Sequence, residues 1–397
     1  MNKQEIKRKI KLLTEEYSRE IVTVRRYLHT VPEIGFQEYN TSKYIIGKLK
    51  EYGIPYQMGV AGTGIVGTIH GRNSSKKTIA LRADMDALQI KEENDVSFKS
   101  QHEGMMHACG HDAHMACVLG AAKILNEFKN EFEGTVKLIF QPSEEMLPGG
   151  AIKMIEGGVL ENPKVENVFG QHTLPTLEAG KGGFKSGKYM ASTDEIYITV
   201  HGKGGHAATP ELYVNPLNIA ATIILELEKE FNKNKPQDTT SVLAFGRITG
   251  DGRTNIIPDE TKMEGTLRTF NEEWRAKAHH MIKSISDSIA KKMKGKCDVH
   301  IAIGYPVLVN NDELTEKAKQ LAIEFLGREN VIDLEMRMTS EDFAYYAQKV
   351  PSVFYRFGVR NESKNIISNL HTSTFDIDEE SLKTATGLMA WIAINQF

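Results

Sequence analysis

The sequence is poor in cysteine and has no long apolar run, and each absence excludes a class of protein. Three cysteines among 397 residues (Cys109, Cys117 and Cys297) are too few for a disulfide framework. No apolar run approaches the roughly 20 residues that span a bilayer, and the charged, amphipathic N-terminal segment lacks the apolar core of a signal peptide. We therefore expect a globular protein of the reducing cytoplasm with no membrane partner.

The chain also lacks a strong charge of either sign. Its 49 Lys and Arg residues against 52 Asp and Glu residues give a formal net charge of −3, and no long run carries a single sign. This balance excludes the basic surface expected of a nucleic-acid-binding protein. Apolar residues make up 40% of the chain, which is enough for large buried cores, and its length predicts more than one domain.

The first part of the chain has the pattern of an α/β domain. Apolar residues at spacings of three and four predict one long amphipathic helix over residues 4–29. Short apolar runs then alternate with helical patterns, and they predict strands at residues 65–69, 78–82, 135–140 and 165–169. Such alternation is typical of a mostly parallel sheet covered by helices.

A different pattern begins at about residue 188. Strands and helices are predicted there in the order βαββαβ, which is the order of a ferredoxin-like unit, at residues 195–201, 216–231, 241–248, 261–270, 274–289 and 298–303. The α/β pattern then resumes with a helix at 313–325 and a strand at 352–357. The sequence therefore predicts a discontinuous domain of residues 1–187 and 305–397, and an inserted α+β domain of residues 188–304.

The segment from His107 to His114 holds three imidazoles, one thiol and one carboxylate in eight positions. Ligands of this softness and density suit zinc or another transition metal better than magnesium or calcium. Cys109 and His111 are two apart, so a turning backbone can aim both at one point, and Gly110 relaxes the backbone restrictions of such a turn. The alternative is a helix N-terminus with incidental histidines.

Further polar residues follow the predicted strands. Asp84 and Asp86 come after one strand, Glu144 and Glu145 after another, and His172 after a third. In open α/β sheets, ligands bind at the carboxyl ends of the strands. One glutamate of the pair can bind a metal while its neighbour takes a proton from a metal-activated water, which suits metal-assisted hydrolysis. The alternative for the glutamate pair is a solvated acidic turn.

Three segments leave more than one interpretation open when they are judged from the residues alone. If their segment is extended, Asp84 and Asp86 point to one side, and one of them could orient a ligand imidazole; a turn-capping carboxylate is the alternative for Asp84. His206 lies in a glycine-rich stretch that also fits an ordinary hairpin turn. His371 lies in a polar turn after the insertion and returns to the first domain.

Taken together, these segments resemble the metallopeptidase M20 family, in the amidohydrolase subfamily of N-acyl-amino-acid amidohydrolases, hippurate hydrolases and auxin-conjugate hydrolases. The matching segments cover nearly the whole chain in family order. They are residues 81–88 (LRADMDAL), 107–114 (HACGHDAH), 141–145 (QPSEE), 205–206 (GH), 254–259 (TNIIPD) and 371–372 (HT).

The resemblance implies a zinc-exopeptidase-like catalytic domain that binds two divalent metal ions, Zn²⁺ or Mn²⁺ with Co²⁺ or Ni²⁺ as further possibilities. The implied metal ligands are Cys109, His111, Glu145, His172 and His371. Glu144 would be the general base, and Asp86 would support the site. This chain has Asp84 where the wider family has a metal-ligand histidine, which leaves the role of Asp84 open.

The resemblance also implies that the inserted domain serves as a lid and a dimerisation domain. His206, Asn255 and Arg268 match lid residues that contact the substrate, and the histidine often acts across a dimer. The implied partners are a small-molecule N-acyl amino acid and a second copy of the chain, bound through residues 188–304.

The implied function is the metal-dependent hydrolysis of N-acyl amino acids to a carboxylic acid and a free amino acid. Three alternatives stay open at this point. The first is a deacetylase dedicated to one intermediate, such as N-acetyl-diaminopimelate. The second is a non-catalytic metal-binding homologue, and the third is a thiol hydrolase that uses Cys109 and a histidine.

Overall fold

The structure is a computed structural model that describes all 397 residues. Its helices are α1 (Lys3–Glu16), α2 (Ser18–Thr30), α3 (Tyr39–Glu51), α4 (His111–Glu127), α5 (Gly150–Glu156), α6 (Pro216–Asn234), α7 (Glu272–Lys292), α8 (Asp312–Leu326), α9 (Ala344–Ala347) and α10 (Glu380–Ile394). None of them combines the length and the hydropathy that a membrane crossing requires.

The strands are β1 (Tyr56–Val60), β2 (Gly64–His70), β3 (Thr78–Asp84), β4 (Thr135–Gln141), β5 (Asn167–Glu178), β6 (Gly182–Phe184), β7 (Gly187–Met190), β8 (Ser192–His201), β9 (Gly205–His206), β10 (Ser241–Thr249), β11 (Ile256–Ile257), β12 (Glu260–Thr269), β13 (Lys296–Ile303), β14 (Leu308–Asn310), β15 (Val331–Asp333) and β16 (Ser352–Arg360).

The chain forms two compact units. The first consists of Met1–Tyr189, Val309–Glu335 and Asp342–Phe397, and the second of Met190–Leu308 and Met336–Glu341. The second unit thus takes in Met336–Glu341, a short segment that lies outside the predicted insertion of residues 188–304.

The first unit is built on an eight-stranded sheet in the order β1-β2-β4-β3-β5-β16-β6-β15. Its central neighbours β4, β3, β5 and β16 run parallel, whereas β1, β2 and β6 add antiparallel pairs. All residues of β3 and β4 are buried, as expected for central parallel strands covered on both faces. The largely parallel α/β sheet predicted from the sequence is confirmed.

The sheet brings the predicted polar segments to one edge. Strands β3 and β4 pair in parallel with Asp84 opposite Gln141, so the residues that follow each strand leave the sheet side by side. The position predicted for His172, beyond a strand end, is wrong. Strand β5 continues to Glu178, and His172 lies within it opposite Arg356 of β16, because the parallel pairing with β16 extends the strand past residue 169.

The N-terminal region differs from its prediction as well. The single helix expected over residues 4–29 is interrupted at Tyr17, where α1 ends and α2 begins. The hydroxyl of Ser18 donates to the carbonyl oxygen of Glu15 at 2.7 Å. This bond lies directly at the break, which the apolar periodicity does not reveal.

The second unit has an antiparallel four-stranded sheet in the order β10-β12-β8-β13. Helices α6 and α7 pack on each other and on this sheet. Ile196, Ile198 and Val200, at alternate positions of β8, all point into the shared core. The connection order β8-α6-β10-β12-α7-β13 confirms the predicted ferredoxin-like arrangement.

Two helical glycines give a matched stability test of the packing around α4. A Cβ on Gly120 of α4 would lie 2.8 Å from Thr386 Cγ2 and 2.9 Å from Ile21 Cδ1, whereas a Cβ on Gly47 of α3 would meet nothing within 4 Å. We expect Gly47→Ala to raise the free energy of unfolding by about 0.5–1 kcal/mol through helix propensity. Gly120→Ala should lower it by roughly 1–3 kcal/mol through overpacking.

Urea denaturation of both variants and the parent chain measures these changes. A Gly120→Ala variant that gains as much stability as Gly47→Ala would contradict the close packing of α4 against α2 and α10.

Candidate two-metal site

Asp86 lies at the centre of the candidate site and bonds to two of its segments. Its Oδ1 accepts the backbone N–H of Glu144 and its Oδ2 that of Glu145, each at 2.9 Å. Its backbone oxygen lies 2.8 Å from His111 Nδ1. Asp86 thus fixes the turn after β4 and the first residue of α4 relative to one another.

Five side chains converge beside this anchor. Those of Cys109, His111 and His172 form one group of potential metal ligands, and those of Cys109, Glu145 and His371 form a second, with ligand atoms within 4.8 Å of one another in each group. His371 Nε2 lies 3.1 Å from Glu145 Oε1. The structure therefore brings together all five residues that the sequence predicts as metal ligands.

The hydrogen bonds of two histidines leave one ring nitrogen of each facing the cluster. His111 Nδ1 is engaged by Asp86, and His111 Nε2 is buried with no hydrogen-bond partner. His172 Nδ1 lies 2.9 Å from the Thr173 carbonyl oxygen, and His172 Nε2 lies 3.4 Å from Cys109 Sγ. Engagement of one ring nitrogen by a carbonyl fixes the tautomer that presents the other to a metal.

Two left-handed backbone positions shape the segments that carry these ligands. Gly110, with φ +84°, precedes α4, and a Cβ at this position would lie 2.7 Å from Thr173 Cγ2. His371 has φ +59°, and its N–H donates to the carbonyl oxygen of Ala108 at 2.8 Å. The glycine between Cys109 and His111 is therefore required both for its conformation and for the close approach of β5.

The electrostatics of the site call for a bound cation. Burial and the neighbouring carboxylates of Glu145, Glu144 and Asp84 raise the pKa of the Cys109 thiol well above its usual range. Burial opposes protonation of His111, but Asp84, Asp86 and Glu145 outweigh it and raise its pKa to about 10. A buried surplus of negative charge beside an unpartnered imidazole nitrogen fits metal ions bound by these residues.

Asp84 and His114 are committed to other partners. Asp84 Oδ1 lies 2.6 Å from His114 Nδ1, and Asp84 Oδ2 accepts from Arg82 Nη1 at 2.6 Å. His114 Nε2 accepts the Thr173 N–H at 3.0 Å. Burial opposes ionisation of Asp84, yet His111, Arg82 and His114 hold its pKa well below the usual range. Asp84 therefore supports the site through His114 and Arg82.

A buried network that the sequence analysis missed holds the start of α4. Asp112, directly after His111, accepts from Arg25 Nε at 2.8 Å, and its Oδ2 lies 2.7 Å from His29 Nδ1. His29 Nε2 lies 3.1 Å from Glu92 Oε1. Arg25 and His29 share the helical spacing of the apolar residues of α2, and this position on the buried face is the signal that could have identified them.

The three predicted substrate residues lie in the second unit. His206 pairs with Ile256 between β9 and β11, and its Nδ1 accepts the N–H of Ala208 at 3.1 Å. Asn255 is beside it, because the N–H of Ala207 donates to the Asn255 carbonyl oxygen. Arg268 is on β12, where its Nη1 donates to the Met338 carbonyl oxygen at 3.0 Å.

Comparison with known proteins gives a family match over most of the chain. The sequence model of Peptidase family M20/M25/M40 matches residues 80–395. Thermostable carboxypeptidase 2 of Saccharolobus solfataricus is 38% identical over 97% of this chain and 98% of its own. N-acetyl-L-cysteine deacetylase of Bacillus subtilis is 35% identical over 93% of this chain and 86% of its own.

A solved structure agrees with these matches. A Bacillus subtilis protein described as a dinuclear metal-binding peptidase from the M20 family is 33% identical and covers 96% of this chain and 99% of its own, with a TM-score of 0.82. The residues assembled around Asp86 thus occur in a chain whose fold is shared with a two-metal protein.

Asp86→Asn tests whether the central carboxylate organises the metal ligands. The amide of asparagine has one acceptor oxygen, so its NH₂ group would face one of the two N–H donors of Glu144 and Glu145. We expect zinc affinity to fall about 10- to 100-fold, the range typical of lost support for metal ligands.

Isothermal titration of metal-free protein with zinc measures this loss. Asp95→Asn makes the same chemical change at an exposed position and should leave zinc affinity unaltered. Equal affinities of the Asp86→Asn variant and the parent chain would contradict the organising role of Asp86.

Proposed function

This chain belongs to peptidase family M20/M25/M40, and we propose that it hydrolyses the amide bond of N-acyl amino acids, releasing a carboxylic acid and a free amino acid. The enzyme is a metal-dependent amidohydrolase, and the predicted resemblance to the M20 amidohydrolases is confirmed. The observation that carries the proposal is the convergence of five potential metal ligands next to Glu144, whose backbone is fixed by Asp86.

The metal ions of the site are two divalent cations, for which we propose Cys109, His111, Glu145, His172 and His371 as ligands. Bound ions would polarise the amide carbonyl and lower the pKa of a water molecule toward ~7. The thiol ligand favours zinc, while imidazole and carboxylate ligands also accept manganese, cobalt or nickel.

Glu144 is the proposed general base. Its side chain is buried, and it lies in the same potential ligand group as His111 and Glu145. In the proposed reaction, the Glu144 carboxylate removes a proton from the attacking water as the water oxygen bonds to the amide carbon. The carbon–nitrogen bond then breaks, and Glu144 returns the proton to the departing nitrogen.

The proposed substrate class follows from what the two named relatives have in common. A carboxypeptidase and an N-acetyl-L-cysteine deacetylase both cleave an amide whose nitrogen belongs to an amino acid with a free carboxylate. We propose that Arg268 or Asn255 binds that carboxylate, since a guanidinium group can donate two parallel hydrogen bonds to it. His206 is proposed to stabilise the oxyanion that forms at the carbonyl oxygen.

The thiol-hydrolase alternative conflicts with the electrostatics of Cys109. A nucleophilic cysteine needs a lowered pKa, whereas burial and nearby carboxylates raise the pKa of this thiol. Burial, followed by the charge of Arg356, also holds the pKa of the neighbouring His172 well below its usual range. A neutral histidine beside a protonated thiol is a poor nucleophilic pair in this environment.

We also propose that the chain forms a homodimer through its second unit. Strand β10 is an edge strand of its sheet, and Val242 and Ile248 on it are exposed, which favours pairing with another chain. Sedimentation of a fully active monomer would contradict the dimer.

We also propose a reducing compartment such as the cytoplasm, since all three cysteines are free.

Amine release from a substrate panel tests the function. We expect zinc- or manganese-loaded protein to cleave several N-acetyl-, N-benzoyl- or N-indoleacetyl-amino acids, with cleavage abolished by a chelator and restored by metal. Cleavage of N-acetyl-diaminopimelate alone would favour the dedicated deacetylase. No release from any member under either metal would contradict the proposal.

Glu144→Gln tests the general base separately from metal binding. The amide cannot accept the proton of the attacking water, so we expect kcat to fall by a factor of roughly 10²–10⁴, while zinc affinity stays near that of the parent chain. Turnover and zinc titration on the same preparation measure both quantities. Near-normal turnover with metal bound would contradict the assignment of Glu144.

A further inference from the structure

A second buried carboxylate bonds to the turn that carries Glu144 and Glu145. Glu38 Oε1 accepts the backbone N–H of Ser143 at 2.9 Å and that of Phe36 at 3.0 Å. Glu38 Oε2 accepts the hydroxyl of Thr63 at 2.5 Å. The exposed fraction of Glu38 is 0%, so this carboxylate exchanges all contact with water for these three donors.

Glu38 and Asp86 together hold three consecutive backbone donors. Ser143 bonds to Glu38, and the next two N–H groups, of Glu144 and Glu145, bond to Asp86. The conformation of the turn is therefore set by two carboxylates from different parts of the chain, one just before α3 and one just after β3.

The backbone at this contact is strained on both sides. Ser143 has φ +50° and Phe36 has φ +61°, a region that costs side-chain-bearing residues roughly 1–2 kcal/mol each. The two loops also approach so closely that a Cβ on Gly35 would lie 2.5 Å from Ser143 Oγ. Strained residues persist where their surroundings over-determine them, and here Glu38 supplies a bond to each one.

We propose that Glu38 is a positioning residue that holds the Ser143–Glu145 turn in the conformation needed for metal binding and proton transfer. It acts through Ser143 and touches neither metal ligand nor substrate. The kinetic part of this proposal rests on the proposed amidohydrolase function, whereas its metal-binding and stability parts do not.

Ionisation of Glu38 opposes folding while it strengthens the contact. Burial, reinforced by the charge of Asp86, raises the pKa of Glu38 to about 7 from 4.5, against the opposing effect of the Thr63 and Ser143 hydrogen bonds. Stability from this group is therefore full below pH 4.5 and is lost as pH rises through about 7. An anionic acceptor, however, binds the Ser143 N–H more strongly than a neutral one.

Glu38→Gln keeps the shape of the side chain and removes the charge. Its amide oxygen can accept the Ser143 and Phe36 N–H groups, and its NH₂ group can donate to Thr63 Oγ1. We expect kcat at pH 8 to fall roughly 10- to 100-fold, as for a small misplacement of catalytic groups. KM should change by less than about threefold, because the substrate contacts stay in place.

Three readouts separate positioning from a general structural role. Zinc affinity should fall, since Glu145 follows the held turn. The contribution of Glu38 to the rise of the kcat–pH profile near pH 7 should disappear, which leaves only the rise due to the metal-activated water. The melting temperature of the variant minus that of the parent should become more positive from pH 5 to pH 8. At the higher pH the parent buries an ionised Glu38, whereas the variant buries no charge. A merely structural carboxylate would change only the melting temperature, and the zinc affinity and the kcat–pH profile would stay as in the parent chain.

Glu33→Gln is the matched control. Glu33 is a buried carboxylate of the same loop that accepts from the N–H groups of Asn40 and Thr41 at the start of α3 and does not bond to the turn. It should lose stability without changing zinc affinity or the shape of the kcat–pH profile.

Thr63→Val supplies an independent check with the carboxylate intact. The hydrogen bond from Thr63 lowers the pKa of Glu38. Its loss should therefore raise that pKa and move the part of the kcat–pH profile that Glu38 controls to higher pH. Unchanged zinc affinity and an unchanged kcat–pH profile for Glu38→Gln would overturn the proposal. If the parent chain cleaves no substrate, the proposed function fails, and the zinc affinities of the Glu38 and Glu33 variants still decide the role of Glu38.

Discussion

The hydrogen bonds between the Asp86 carboxylate and two consecutive backbone N–H groups are the contact on which the site depends. They place Glu144 and Glu145 at a fixed distance from the start of α4, because the same residue engages His111 through its carbonyl oxygen. One glutamate can then face the metal ions while the other faces the attacking water. The different roles of the two adjacent carboxylates, metal binding and proton transfer, thus follow from the hydrogen bonds that fix their backbone.

Charge is the second constraint on this region. Asp84, Asp112 and Glu38 are all fully buried. Asp84 forms an ion pair with Arg82 and Asp112 with Arg25, whereas Glu38 has only neutral hydrogen-bond donors. The remaining negative charge of Glu145 and Asp86 faces His111 and Cys109. Buried ion pairs contribute little net stability, so their value here lies in fixing the geometry of ligands that the metal ions then neutralise.

Much of this arrangement was predictable because it depends on local patterns. The dense ligand segment around Cys109, the paired glutamates after a buried strand and the βαββαβ order all show in the sequence. The roles of Arg25, His29 and Glu38 did not, because the partners that define those roles lie far away along the chain. Helical spacing marks Arg25 and His29 as buried but does not show which residues they bond to. The extent of β5 depends on its pairing with a distant strand, and the break at Tyr17 does not interrupt the apolar periodicity of the segment.

An anomalous-scattering map of crystals grown with zinc, collected at the zinc absorption edge, would show directly which residues bind the metal ions. We expect two peaks among Cys109, His111, Glu145, His172 and His371, with Glu144 unligated beside them. A single peak, or peaks bound by Asp84 and His114 in place of these residues, would contradict this expectation.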